Sequence, residues 1–169
     1  MIPRPFTPEV HELALCRLAP MDEAGAAELA GRLAAMDPWH RLGYPLERLQ
    51  RYLGTDSPAL ARYRIEVAGG LAGAITVRWP WLHGPYLELL AILPECQGRG
   101  LGNALVGWLE AEAASSRNLW VAVSAFNTEA RRFYARCGFV EVGRVPGLVL
   151  DGFDEILLRK ALGPGGPPG

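Results

Sequence analysis

Leu93-Pro-Glu-Cys-Gln97-Gly-Arg-Gly-Leu-Gly102-Asn103 places glycines at 98, 100 and 102 within one short connection. Upstream, Tyr86 to Leu93 is apolar almost throughout, as expected of a strand buried on both faces. Downstream, Leu101, Leu105, Trp108 and Leu109 fall at i, i+4, i+7 and i+8, which predicts a helix with one core-facing stripe. Glycines between a strand and a helix let the backbone curl closely, and the free N–H groups of a helix start converge on one point. With the helix dipole, this makes either a simple tight turn or an anion site suited to a pyrophosphate. Two common phosphate loops do not fit. After Gly98-x-Gly100 the third position of a dinucleotide fingerprint is Asn103, and the chain's only lysine, Lys160, is too far away to serve a Walker loop.

Outward from this loop the chain alternates between strand and helix. Leu119 to Ser124 predicts a strand, and Asn127 starts a helix that runs to Cys137 and stops at Gly138. The strand-helix-strand-helix run over residues 86–143 implies a parallel pair with a crossover helix. The rest is built of hairpins. Residues 62–67 and 71–79 flank Gly69-Gly70, residues 80–85 break the pattern, and Phe139–Gly143 and Phe153–Lys160 are the last two strands. Residues 11–18 predict a first strand, residues 21–36 an alanine-rich helix, and residues 46–53 a second helix.

The 169 residues suit one domain, and 50% hydrophobic against 21% charged residues is a globular composition. We expect a single domain over residues 1–162 and a disordered Gly/Pro tail over residues 163–169. A net charge of -1 argues against a nucleic-acid-coating protein. Cys16, Cys96 and Cys137 form no CxxC, and His11, His40 and His83 have no metal-ligand spacing, so no metal site is expected. With no membrane span and no signal-peptide pattern, a cytoplasmic setting is the expectation.

Gln97-Gly98-Arg99-Gly100-Leu101-Gly102 resembles the Q/R-x-x-G-x-G/A signature of the GNAT superfamily of N-acetyltransferases. Asn127, Ala130, Tyr134, Gly138 and Phe139 are similar to that family's second hallmark, N-x-x-A-x-x-x-Y-x-x-x-G-F, and the order holds from about residue 62 to 160. The resemblance implies an α/β fold: a mixed, mostly antiparallel central sheet with a splayed parallel strand pair and about four flanking helices. It implies acetyl-CoA as cosubstrate. The pyrophosphate would lie on the amides of Gln97, Gly98, Arg99, Gly100, Leu101 and Gly102, and pantetheine would run along the backbone of Leu90, Ala91 and Ile92. Asn127 is implied as a pantetheine contact and is equally a good helix N-cap.

Acetyl transfer to a primary amine, by direct attack in a ternary complex, needs a proton acceptor and a proton donor. Alternation groups Glu88 with Tyr86, Leu90 and Ile92, which makes it the candidate base, with or without an intervening water. Tyr134 matches the family's proton donor to the CoA sulfur, although Ala130, Phe133, Tyr134 and Cys137 also form an ordinary core-facing stripe. The acceptor would meet the loops that carry Trp39, His40 and Tyr44, and Asp151, Asp154 and Glu155. Of these, Trp39, Tyr44 and Asp151 are the substrate candidates. The resemblance to ribosomal-protein alanine acetyltransferases breaks at Ala122, where those enzymes carry a glutamate. The expected partner is a small-molecule or peptide amine, with neither nucleic acid nor membrane, and a homodimer is compatible with the family. The alternative is a non-catalytic acyl-CoA-binding sensor or accessory module.

Overall fold

The structure is a computed structural model and describes residues 4–163. Of the expected tail, residues 164–169 lie outside the described residues, as do residues 1–3 at the start of the expected domain. In chain order the elements are β1 (His11–Glu12), β2 (Arg17–Pro20), α1 (Glu23–Ala34), α2 (Leu46–Gly54), β3 (Leu60–Val67), β4 (Gly70–Trp81) and β5 (Gly84–Ile92). After a 3-10 turn at Pro94–Cys96 come α3 (Leu101–Glu112), β6 (Asn118–Ser124), α4 (Thr128–Arg136), β7 (Val140–Pro146) and β8 (Asp154–Ala161).

All the strands join one sheet in the order β1-β2-β3-β4-β5-β6-β8-β7. Every neighbouring pair is antiparallel except β5 and β6, which run parallel. The mixed, mostly antiparallel sheet with four helices is the architecture expected from the sequence. One face is closed by α1 and α2, whose Leu29, Leu33, Leu49 and Leu53 pack on Ala74, Leu89 and Ala91. The other carries α3 and α4, where Leu105, Leu109 and Tyr134 join Ile75, Val77, Leu87 and Val121. No helix among the described residues is long and apolar enough to cross a membrane.

Two local departures from the sequence reading shape the strands that flank the site. Thr76 pairs with Leu89 and Val77 with Leu87, so Glu88 is the extra residue of a β-bulge. A bulge reverses the in-out alternation. Leu87 therefore enters the α3 core while Leu89 and Ala91 enter the α1–α2 core, and Leu90 and Ile92 pack against the α3 side. The expected grouping of Glu88 with Leu90 and Ile92 fails for that reason. The break predicted at residues 80–85 is instead a hairpin tip, because Leu82 and His83 both adopt positive φ, 36° and 61°, and link β4 directly to β5. The predicted first strand is likewise a pair, β1 and β2, joined in a hairpin.

Candidate active site

The parallel pair begins tight and then opens. A Cβ at Gly84 would lie 1.9 Å from the Asn118 carbonyl oxygen, so only glycine permits the approach at the start of β5. Pairing holds at Tyr86 with Trp120 and at Leu87 with Val121 and goes no further, although β5 runs on to Ile92 and β6 to Ser124. The strands therefore diverge around a gap. The Leu93 amide donates to Ala72 O at 2.8 Å, and alternation from there turns the backbone groups of Ala91 to β4 and those of Leu90 and Ile92 to the gap. Of these, the Ile92 carbonyl already accepts a 2.9 Å hydrogen bond from Gln97 Nε2, which ties the following loop to the end of β5.

That loop has the expected backbone. Gly98 and Gly100 take φ of 73° and 82°, and Gly100 caps α3 in the left-handed region. The first α3 bond runs from the Ala104 amide to Gly100 O. The amides from Gly98 to Asn103 have no protein acceptor among the described residues, so they stand free at a positive helix end. Gly102 fits closely under Phe133, whose Cζ would lie 2.8 Å from a Cβ there. Arg99 is exposed.

A cleft of about 630 Å³ extends from this loop along the gap, lined by Leu90, Ala91, Ile92, Gln97, Gly98, Gly100, Leu101 and Gly102. Its opposite wall is α4, which contributes Arg132 and Arg136. Neither arginine is ion-paired among the described residues. Sequence reasoning missed these two, although their spacing of four on a helix puts them on one face.

A second cleft of about 350 Å³ opens on the α1–α2 side and holds Glu88, Tyr44, Tyr52, Tyr86, Ser124 and Glu155. The two clefts share Pro38, Trp39, Leu90, Asn127, Ala130 and Tyr134. Tyr134 is 5% exposed, its ring is packed edge-on to Phe133 and Phe139, and its hydroxyl has no hydrogen bond to protein among the described residues. Burial pushes its phenol well above the ordinary tyrosine range. Asn127 sits at the same junction, and its Oδ1 accepts from the Ala130 amide at 3.2 Å, capping α4.

The two carboxylates of the smaller cleft are held in different ways. Glu88 is 19% exposed at its side chain and is clamped by Arg78, Nε to Oε2 at 2.5 Å and Nη2 to Oε1 at 2.9 Å. Glu155 is 7% exposed and accepts a 2.7 Å hydrogen bond from the Ser124 hydroxyl, with no cation paired to it among the described residues. Burial raises the Glu155 pKa above the usual carboxylate value, while the Ser124 bond opposes the shift. Burial also pushes the Tyr86 phenol up to about 12. Trp39 and Tyr44 line the smaller cleft, whereas Asp151 is exposed in the β7–β8 turn and lines neither cleft. Glu155, four residues further on, occupies that end instead. No group of three or more His, Cys, Asp or Glu side chains among the described residues is placed to hold a metal ion.

Residues 26–139 match the sequence profile of the acetyltransferase (GNAT) family. An uncharacterized N-acetyltransferase of Methanocaldococcus jannaschii is 35% identical over 101 residues, which cover 58% of this chain and 64% of that protein. The chain thus matches just under two thirds of that relative's length. The crystal structure of an acetyltransferase from Thermus thermophilus superposes with a TM-score of 0.72 at 23% identity, covering 90% of this chain and 100% of that one. A spermidine N-acetyltransferase from Vibrio cholerae, solved in complex with CoA and spermine, gives 0.69 at 20% identity over 88% of this chain and 96% of that one. With the glycine loop, the opened parallel pair and the match over residues 26–139 in agreement, the chain belongs to the acetyltransferase (GNAT) family.

Proposed function

We propose that the protein transfers an acetyl group from acetyl-CoA to a primary amine by direct attack in a ternary complex. One observation carries the reading: two clefts of different character meet at the Tyr134 side chain. The larger has the free amides of the glycine loop at one end and Arg132 and Arg136 beside it, a fit for pyrophosphate and further phosphate. The backbone of Leu90 and Ile92 faces the same space, so a pantetheine arm would bring its thioester to Asn127 and Tyr134. The likeness in fold to a structure that holds both CoA and spermine supports a fold of this kind taking a CoA and an amine together.

Within this reading Tyr134 gives its proton to the departing thiolate, a role open to a phenol that burial keeps protonated. The amine enters from the smaller cleft, beneath Trp39 and Tyr44, and its proton passes to a carboxylate there, where both Glu88 and Glu155 line the wall. A cavity of about 350 Å³ suits a small molecule or the end residue of a peptide. The apolar wall of Leu89, Leu90 and Val123 keeps water from the thioester. The reading includes a cytoplasmic setting with Cys16, Cys96 and Cys137 as free thiols.

The test is release of CoA thiol from acetyl-CoA over a panel of polyamines, amino acids, aminoglycosides and short peptides with free N-termini. Turnover on one amine class, with a tenfold or greater loss in Tyr134→Phe, is the expected result. Tight acetyl-CoA binding with no turnover on any amine would instead favour a non-catalytic acyl-CoA-binding module.

A further inference from the structure

We propose that Glu155 is the catalytic base, accepting the proton of the acceptor ammonium directly, while the Glu88–Arg78 pair shapes the acceptor cleft without taking that proton. This assignment rests on the acetyl-transfer reading and concerns the same cleft.

The register of β6 and β8 decides which way Glu155 points. Ser124 pairs with Glu155 and Ala122 with Leu157. Leu119, Val121 and Val123 of β6 and Ile156 and Leu158 of β8 all enter the α3 core. By alternation Ala122 and Ser124, with Glu155 and Leu157, face the other way, towards α1 and α2. The small side chains of Ala122 and Ser124 leave that stretch of the wall low, and the Glu155 carboxylate rises beside it into the acceptor cleft. Tyr134 and Asn127, at the mouth of the thioester cleft, line the same cavity.

Two differences separate Glu155 from Glu88. Both Glu88 oxygens are engaged by one guanidinium, so a substrate ammonium would have to compete with a bidentate pair. Glu155 has one oxygen on Ser124 and the other without a partner among the described residues. A buried carboxylate without a cation is costly to keep, and an incoming ammonium supplies the missing charge. Binding the ammonium and removing its proton are then served by one group. An ordinary carboxylate is a weak base for this task, and the upward shift that burial causes at Glu155 narrows the mismatch.

Each proton has a donor and a destination. The ammonium gives one proton to the Glu155 carboxylate and becomes a neutral amine. The nitrogen lone pair forms the C–N bond at the thioester carbonyl. Collapse of the tetrahedral adduct breaks the C–S bond, Tyr134 gives its proton to the sulfur, and the second nitrogen proton restores the phenol. Glu155 then releases its proton to solvent through the cleft mouth beside the exposed Leu148 and Val149. The other ionisable groups facing this cavity are Tyr44, Arg48, Tyr52, Tyr86, Glu88 and Tyr134.

The experiment compares wild type, Glu155→Gln, Glu155→Asp and Glu88→Gln on an amine the wild type turns over. Acetyl-CoA affinity by calorimetry serves as a check on folding. Expected for Glu155→Gln is unchanged acetyl-CoA affinity, a fall in kcat of about 100-fold or more, and loss of the acidic limb of the kcat/KM pH profile. Glu155→Asp should retain that limb at reduced kcat, and Glu88→Gln should keep it while mainly raising the KM for the amine. Near wild-type kcat in Glu155→Gln with the acidic limb intact would overturn the assignment while leaving acetyl transfer standing. Loss of the limb in Glu88→Gln alone would return the proton to Glu88. Absence of turnover by the wild type on every amine would overturn the acetyl-transfer reading and this inference with it.

Discussion

The Ser124 hydroxyl donates a 2.7 Å hydrogen bond to Glu155 Oε1 across β6 and β8, at the end of the gap where the parallel strands have parted. This bond favours the carboxylate form and works against the burial that raises the Glu155 pKa. Ser124→Ala removes the opposing influence and leaves burial alone, so the pKa rises further. The acidic limb of the kcat/KM profile is expected to move to higher pH, with kcat on its plateau within a few-fold of wild type. A limb that stays in place or moves to lower pH would show that Glu155 does not set it.

The same buried carboxylate makes a prediction about stability. Burial raises the folded-state pKa above the unfolded value, so the folded chain keeps the proton over a pH range where the unfolded chain has lost it. Stability therefore falls as pH rises through that range, and above it the charged Glu155 is a net cost. Glu155→Gln relieves that cost at neutral and alkaline pH. Its Tm at pH 8 should exceed wild type by about 2–4 °C, the rise that a gain of about 1 kcal/mol gives a domain of this length. The difference should vanish below about pH 3, under the unfolded glutamate's pKa, where both states hold the proton. A lower Tm for the variant at pH 8 would show that the charged carboxylate is not a net cost to the fold.

The backbone of the glycine loop and the cap of α4 were legible in the sequence because their signals are local. Gly98 and Gly100, both at positive φ, set the backbone of the loop, and Asn127 caps α4 from three residues before the amide it serves. The smaller cleft depends on pairings distant in the chain. The bulge that reverses the alternation at Glu88 exists only relative to Thr76 and Val77 of β4, and no residue of β5 announces it. Arg78 lies ten residues from Glu88, and Ser124 lies 31 from Glu155, so neither partnership has a sequence pattern. Leu82-His83 is a turn without glycine or asparagine, which is why the tip of the β4–β5 hairpin looked like a break.

Arg132 and Arg136 line the larger cleft from α4, opposite the free amides of the glycine loop. With no carboxylate partner among the described residues, their charge is available to a polyphosphate, although Asp37 and Glu129 line the same cleft and temper it. The double variant Arg132→Ala, Arg136→Ala is expected to raise the KM for acetyl-CoA about 10-fold or more while changing kcat little. Its affinity should also depend less steeply on salt than that of the wild type, because fewer ionic contacts remain to be screened. An unchanged KM at low salt would place the phosphates elsewhere.

Tyr134 offers the most direct check on the chemistry. Its ring is packed against Phe133 and Phe139, and its hydroxyl makes no hydrogen bond to protein among the described residues. Tyr134→Phe therefore keeps the packing and breaks no protein contact of the hydroxyl, so stability and acetyl-CoA affinity should stay near wild type. The kcat should fall by about 100-fold, the usual effect of losing one positioned proton donor. Burial raises the phenol's pKa, which means that it loses its proton only above its ordinary value near 10. The wild-type kcat should accordingly show no alkaline limb below about pH 10 that belongs to this group. A limb near pH 8 that disappears in Tyr134→Phe would mean that the working phenol is more acidic than its burial allows, and the proton donor would then have to be sought elsewhere in the cleft.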